Sequence, residues 1–273
     1  MGQVDHTLPR GEPVRGVTSL GDEVYVLRDK ERDQVEVYDV ITCRLQRCLT
    51  VPNTRVFTHM TSCEHYRYVY VASYTETCCV HGLNVDVPGA GTWWCVKDKP
   101  AGLSVNAAHN VLVTFFEVRK IKEFNSRGVV LRELTLPDDI INPFHAIQLT
   151  TGQFIVCHGG PDDAVHRVCK MSAGGDVIQS HGGQRGSNIG QYNRPVHLAV
   201  DDNEFVFVVD LSNRRVKLLS PSLDHIRQVV SPDDLQWLPN RLYLDVRRRR
   251  LYVVENECRS GVYTAGRVMV FNV

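Results

Sequence analysis

Apolar residues come along this chain in short runs, many of them alternating with polar positions, and the runs are separated by Gly, Asn, Asp and Pro. The clearest stretch is NRPVHLAVDDNEFVFVVDLSNRRVKLLS, residues 193–220. Its first run (196–200) is almost wholly apolar, its second (205–209) is β-branched and aromatic, and its third alternates at Val216, Lys217 and Leu218. Alternation of period two marks strands with one open face, whereas an unbroken apolar run marks a strand buried on both sides. Asp202-Asn203 supplies a turn between the first two runs.

The same series recurs. Units start near residues 13, 55, 100, 142, 193 and 240, and each carries the three runs with a more polar fourth wherever the chain continues far enough. A period of roughly forty to fifty residues, built from four short strands, is the sequence signature of a propeller blade. The expected fold is all-β, a six-bladed β-propeller of four-stranded blades. The last unit, GRVMVFNV, stops on its third strand, while DHTLPRG (5–11) matches the fourth-strand endings ELTLP (133–137) and CLTVP (48–52). Residues 1–9 are therefore predicted to form the outer strand of the last blade, making 1–273 a single domain.

Composition adds limits. With 31 basic and 31 acidic residues, the whole chain carries no general attraction for nucleic acid or anionic lipid. No stretch has the length and apolarity of a membrane span, and no secretory leader is legible. The nine cysteines are an odd number without the paired spacing of a zinc site, which points to free thiols in a reducing compartment and a cytoplasmic, monomeric protein.

The Pro-x-His/Gly start, the second strand ending in Asp, and the spacing of Asp210, Asn213, Arg215 and Val216 resemble the NHL repeat. The fifth unit matches best; the first two depart, with Gln34 and Cys79 where the repeat has Arg. The stretches FHAIQLTTGQFIVCHGG and 193–223 also resemble the C-terminal NHL domains of invertebrate proteins of the tripartite-motif (TRIM) type. That resemblance implies a six-bladed recognition platform for a protein or RNA partner, without catalytic activity of its own. RING, B-box and coiled-coil segments of such proteins have no counterpart in these residues.

Two readings of the candidate residues remain open. As structure, Asp210 accepts hydrogen bonds from its turn and from Arg215, and so holds the blade together. As function, the residue opening the third strand is Gln34, Cys79, Lys120, Arg167, Arg215 or Arg267 in successive units. Four of these are basic and would form an arc on one face, joined by Arg55, Arg194 and Arg241 from the loops leading into the blades. Such an arc would suit single-stranded RNA or an acidic peptide; acids such as Asp139 and Glu255 near the same face would cancel it. A protein or peptide partner is the expectation, with single-stranded RNA the competing class.

Arg247 to Arg250 read as a solvated hairpin tip on the opposite face. Trp93 and Trp94 could stack a base or anchor a peptide. Propeller enzymes would need axial metal ligands. His145 and His197 occupy equivalent innermost positions, but the positions matched to them in other units, Arg15, Phe57, Gly102 and Tyr243, supply no third histidine. No catalytic residue, metal or cofactor is expected on that basis; a metal-dependent lyase or lactonase is the remote alternative.

Overall fold

The computed structural model describes residues 4–29, 34–51, 56–74, 77–87 and 89–273. Strand β1 (Val4–Thr7) comes first and belongs to the last blade. Blade 1 is β2 (Val14–Leu20), β3 (Glu23–Arg28), β4 (Gln34–Asp39) and β5 (Leu45–Thr50); blade 2 is β6 (Phe57–Cys63), β7 (Tyr68–Tyr74), β8 (Cys78–Asn84) and β9 (Gly91–Cys95). Blade 3 is β10 (Pro100–Val105), β11 (Val111–Phe115), β12 (Lys120–Phe124) and β13 (Val130–Thr135); blade 4 is β14 (Pro143–Gln148), β15 (Phe154–His158), β16 (Val165–Met171) and β17 (Val177–Gln184). Blade 5 is β18 (Pro195–Val200), β19 (Val206–Asp210), β20 (Arg215–Leu219) and β21 (His225–Val230); blade 6 is β22 (Leu238–Asp245), β23 (Arg250–Arg259) and β24 (Val262–Asn272). Six four-stranded antiparallel sheets result, the sixth in the order β1-β24-β23-β22.

Of the closing strand expected over residues 1–9, residues 1–3 lie outside the described residues, and Val4–Thr7 lies where the sequence places it. Val4 pairs with Phe271 and Thr7 with Met269, and Leu8 just beyond is fully buried. Arg28 ties this closure down: its guanidinium donates to the carbonyls of Pro9, Glu12 and Gly266 and to Glu36 at 2.6 Å. Blade 1, which lacks the Asp of the repeat, thus uses a base at the end of its second strand to hold chain start and last blade together.

The second strands explain their own composition. In β15, Phe154 and Val156 pack into the cluster shared with blade 3, while Ile155 and Cys157 pack into the one shared with blade 5. In β19, Val206 and Val208 face blade 4 and Phe207 and Val209 face blade 6. Both faces are buried, so an unbroken apolar run is required, each such side chain contributing roughly 1.5–3 kcal/mol.

The innermost strands share one irregularity. Each steps over one residue against its neighbour: Arg15, Thr58, Ala101, Phe144, Val196 and Asn240 in turn. A bulge of this kind re-aims the side chain that follows it. The residues after it are Gly16, His59, Gly102, His145, His197 and Arg241, one per blade at the same level.

No described helix is long and apolar enough to cross a membrane.

Candidate functional site

Three regions gather chemistry: the upper face, bearing the blade starts and the loops between second and third strands; the central axis; and the outer flank of blade 2.

On the upper face the anticipated basic arc is built and then neutralised. The register aligns the third-strand residues as the sequence does: Phe115 with Lys120, His158 with Arg167, Asp210 with Arg215 and Glu255 with Arg267. Arg215 is only 9% exposed and its Nε donates to Asp210 at 2.8 Å. Its Nη2 donates to the carbonyls of Asn188 and Gln191, stapling the glycine-rich loop 185–191 to blade 5. Asn213 donates to the same Asp210 carboxylate at 2.8 Å. Burial raises that carboxyl's pKa in spite of these partners. The Asp-Asn-Arg set is accordingly a blade staple, and Arg215 is unavailable to a phosphate.

The other three third-strand bases of the arc are engaged too. Arg167 bonds Asp139 at 2.7 Å and Arg267 bonds the buried Glu255. Lys120 lies against Glu133 at 2.5 Å, and Arg194 is half-buried with its Nε unpartnered. Arg55 lies outside the described residues, and Arg241 sits not on the rim but on the axis. Arg15 is held by Asp29 and Arg119 by Asp138 at 2.8 Å. Acids near this face thus offset Arg15, Arg119, Lys120, Arg167, Arg215 and Arg267.

Between them the upper face holds a cup of about 300 Å³ at the blade 2–blade 4 side of the axis. Phe57, Phe116, Phe144 and Tyr74 line it, with Arg241 at its inner end and Lys99 at its rim. Phe116 and Phe144 contact each other with ring centroids 5.1 Å apart. Lys99 is exposed, stands 4.2 Å over the ring of Tyr74, and has no acid partner among the described residues. An apolar floor with unneutralised cations is the composition of a pocket for an amphipathic anionic group.

The axis corrects the sequence-based alignment. The third histidine expected to be missing is present: it is His59, not Phe57, because the skipped residue of this strand is Thr58 and His59 follows it as His145 and His197 follow Phe144 and Val196. Likewise Gly16 and Arg241 replace Arg15 and Tyr243 at that level. A Cβ on Gly102 would lie 2.5 Å from the Phe144 carbonyl, so this position has no room for a side chain. His59, His145 and His197 are buried and stacked, with centroids 5.0 Å apart for His59–His145, 4.7 Å for His59–His197 and 4.1 Å for His145–His197.

Their hydrogen bonds assign most of the protons. His145 Nε2 donates to the Leu103 carbonyl at 2.9 Å, and its Nδ1 accepts from the Leu198 N–H at 3.3 Å. His59 Nδ1 accepts from the Leu103 N–H at 3.2 Å while its Nε2 meets His197 Nε2. His197 Nδ1 is buried without a partner. Burial holds all three imidazoles below the ordinary value, His145 at about 4, and the charge of Arg241 acts in the same direction. Burial brings the Arg241 guanidinium itself to about 10. Beneath the histidines a second cavity of about 310 Å³, lined by Ser19, Ser62, Glu64 and Ser104 among others, opens on the lower face.

Elsewhere, Trp94 packs against Phe124 in the core while Trp93 is 66% exposed. Of the arginine run, Arg248 bonds Asp245 at 3.0 Å and Arg250 bonds Asp5 at 3.0 Å, leaving Arg247 and Arg249 to solvent. All nine cysteines are free thiols. Cys79 and Cys95, paired across β8 and β9, bring their sulfurs to 3.6 Å.

No protein-family model matches the chain, and no curated protein matches it by sequence. Solved structures do. The chain superposes on a protein of unknown function from Bacteroides caccae with a TM-score of 0.63 and 11% identity, over 84% of this chain and 85% of that one. It superposes equally, TM-score 0.63 and 11% identity over the whole of both chains, on the β-propeller domain of Cps50 (Swd1) from Myceliophteria thermophila. At this identity the likeness establishes the propeller fold and nothing finer.

Proposed function

We propose that this propeller is a non-catalytic recognition module of the NHL type, serving as the partner-binding part of a TRIM-NHL-like protein, and that it takes a peptide segment of a protein partner in the upper cup. The observation that carries this reading is the aromatic lining of the cup beside Lys99 and Arg241. It suits a segment that buries an apolar or aromatic side chain with an acidic group close by. The propeller fold supports the general role; the NHL-type assignment rests on the sequence resemblance alone.

Single-stranded RNA is the weaker reading, because the arc that would read phosphates is consumed by Asp210, Glu255, Asp139 and Glu133. A random peptide library panned against the domain, with a randomised RNA pool titrated in parallel at low and physiological salt, separates the two. The expected result is a family of acidic-aromatic peptides whose binding is lost in Phe144→Asp and Lys99→Glu and persists with salt. Salt-sensitive RNA binding with no enriched peptide would sink the proposal, since counterion release makes phosphate contacts strongly salt-dependent.

A further inference from the structure

The geometry points to a further site: we infer that His59, His145 and His197 bind one divalent transition-metal ion of the zinc class on the propeller axis. The fourth position would be filled by water or a small anion from the lower cavity. The site is separate from the upper cup and goes beyond the recognition role.

The donor set comes first. Each histidine offers one ring nitrogen, and the three atoms lie within 4.8 Å of one another. Tetrahedral zinc with bonds of 2.0–2.1 Å places its nitrogens about 3.3 Å apart. The rings are stacked, with planes only 12–27° from parallel, so binding requires side-chain rotations that unstack them and turn one lone pair from each towards a common point, closing the wider separations and easing the His59–His197 contact. No carboxylate belongs to the group. An all-imidazole set selects zinc, copper or nickel over calcium and magnesium, which prefer oxygen.

Hydrogen bonding favours the same conclusion. His145 already has the outer hydrogen bond typical of a metal ligand: its Nε2–H is anchored on the Leu103 carbonyl, leaving Nδ1 with the lone pair. The backbone contact this Nδ1 would give up is long, 3.3 Å. His59 would ligate through Nε2 and carry its hydrogen on Nδ1, turning off the 3.2 Å contact from Leu103 N–H.

Packing alone does not account for the trio. Apolar side chains would fill the axis without an orphaned nitrogen such as His197 Nδ1, and a buried unsatisfied polar group costs about 1–3 kcal/mol. Access exists through the lower cavity, which the three imidazoles line. Arg241, whose charge reaches all three rings, opposes a bare dication and therefore favours an anionic fourth ligand.

The test uses the intact chain, produced without a histidine tag in zinc-supplemented medium. Elemental analysis is expected to find about one zinc per chain; chelation should lower the unfolding temperature and added Zn²⁺ restore it. Co²⁺ should give the visible absorption of a tetrahedral site. His197→Gln should weaken zinc binding more than about 100-fold, since the ligand itself is removed where loss of an outer partner already costs 10–100-fold. Cys79→Ser, which disrupts the thiol pair on blade 2, should leave it unchanged. A folded wild-type chain that purifies without metal and shows no shift in unfolding temperature with excess Zn²⁺ or Co²⁺ overturns the inference. So does zinc that survives His197→Gln but is lost in Cys79→Ser.

Discussion

Two series of residues, each contributed once per blade, end in opposite conditions. The outer series, where second and third strands meet on the upper face, runs Phe115/Lys120, His158/Arg167, Asp210/Arg215 and Glu255/Arg267 in blades 3 to 6. Its basic members close on partners of their own blade or of the adjoining loop, with Arg215 and Arg267 on acids that are themselves fully buried. The axial series, Gly16, His59, Gly102, His145, His197 and Arg241, brings four polar side chains together with no acid among them and leaves His197 Nδ1 and Arg241 Nε without partners. Buried polar groups that are paired hold a fold together, while those left open are candidates for an outside ligand. A blade repeat can therefore turn one position into scaffold and another into a site.

The comparison can be broken at several points. Removing the chain through Pro9 should have the largest effect: β24 becomes an open edge, the buried Leu8 is lost, Arg28 loses the Pro9 carbonyl, and cooperative thermal unfolding by calorimetry should disappear. Asp210→Ala comes next. It leaves Arg215 buried without its counter-charge and Asn193 N–H without its acceptor, at a cost of about 3–5 kcal/mol in denaturant unfolding. A change below about 1 kcal/mol would show that the pair is no staple.

The axial series should reveal itself through pH. His145 has its pKa lowered from 6.5 to about 4, so its neutral form is favoured by folding. Its contribution is fully present above about pH 6.5 and is lost as pH falls towards 4, on the order of 3 kcal/mol in all. Metal-free wild-type protein should lose stability over that interval, and His145→Gln should flatten the loss. Equal slopes in the two proteins would remove His145 as the titrating group. Smallest of all, Lys120→Ala breaks an exposed pair with Glu133 and should leave the denaturant midpoint where it is.

Most of the architecture was legible because propeller packing writes itself into composition. A second strand buried on both faces must be apolar throughout, as 205–209 is, and the fourth strand at the rim is polar. Ring closure was legible because LTLP and LTVP endings in complete blades have a counterpart at the chain start. The Asp210–Asn213–Arg215 staple could be read from spacing, since turn and register bring those residues together locally. The axial trio could not be read by the same alignment. In VFTHMTS no Pro marks the entry, so the alignment put Phe57 where the repeat has His, and only the step at Thr58 identifies His59 as the equivalent residue.

Residue order thus determined the blade count, the closing strand and the staple, each of which depends on local periodicity or on contacts between neighbouring strands. Only the tertiary structure decided that the basic arc is neutralised and that His59 joins His145 and His197. The first depends on which acid lies within reach across a turn. The second depends on a one-residue bulge in each innermost strand, and because side chains alternate along a strand, a shift of one position separates a residue on the axis from one in the wall of a blade.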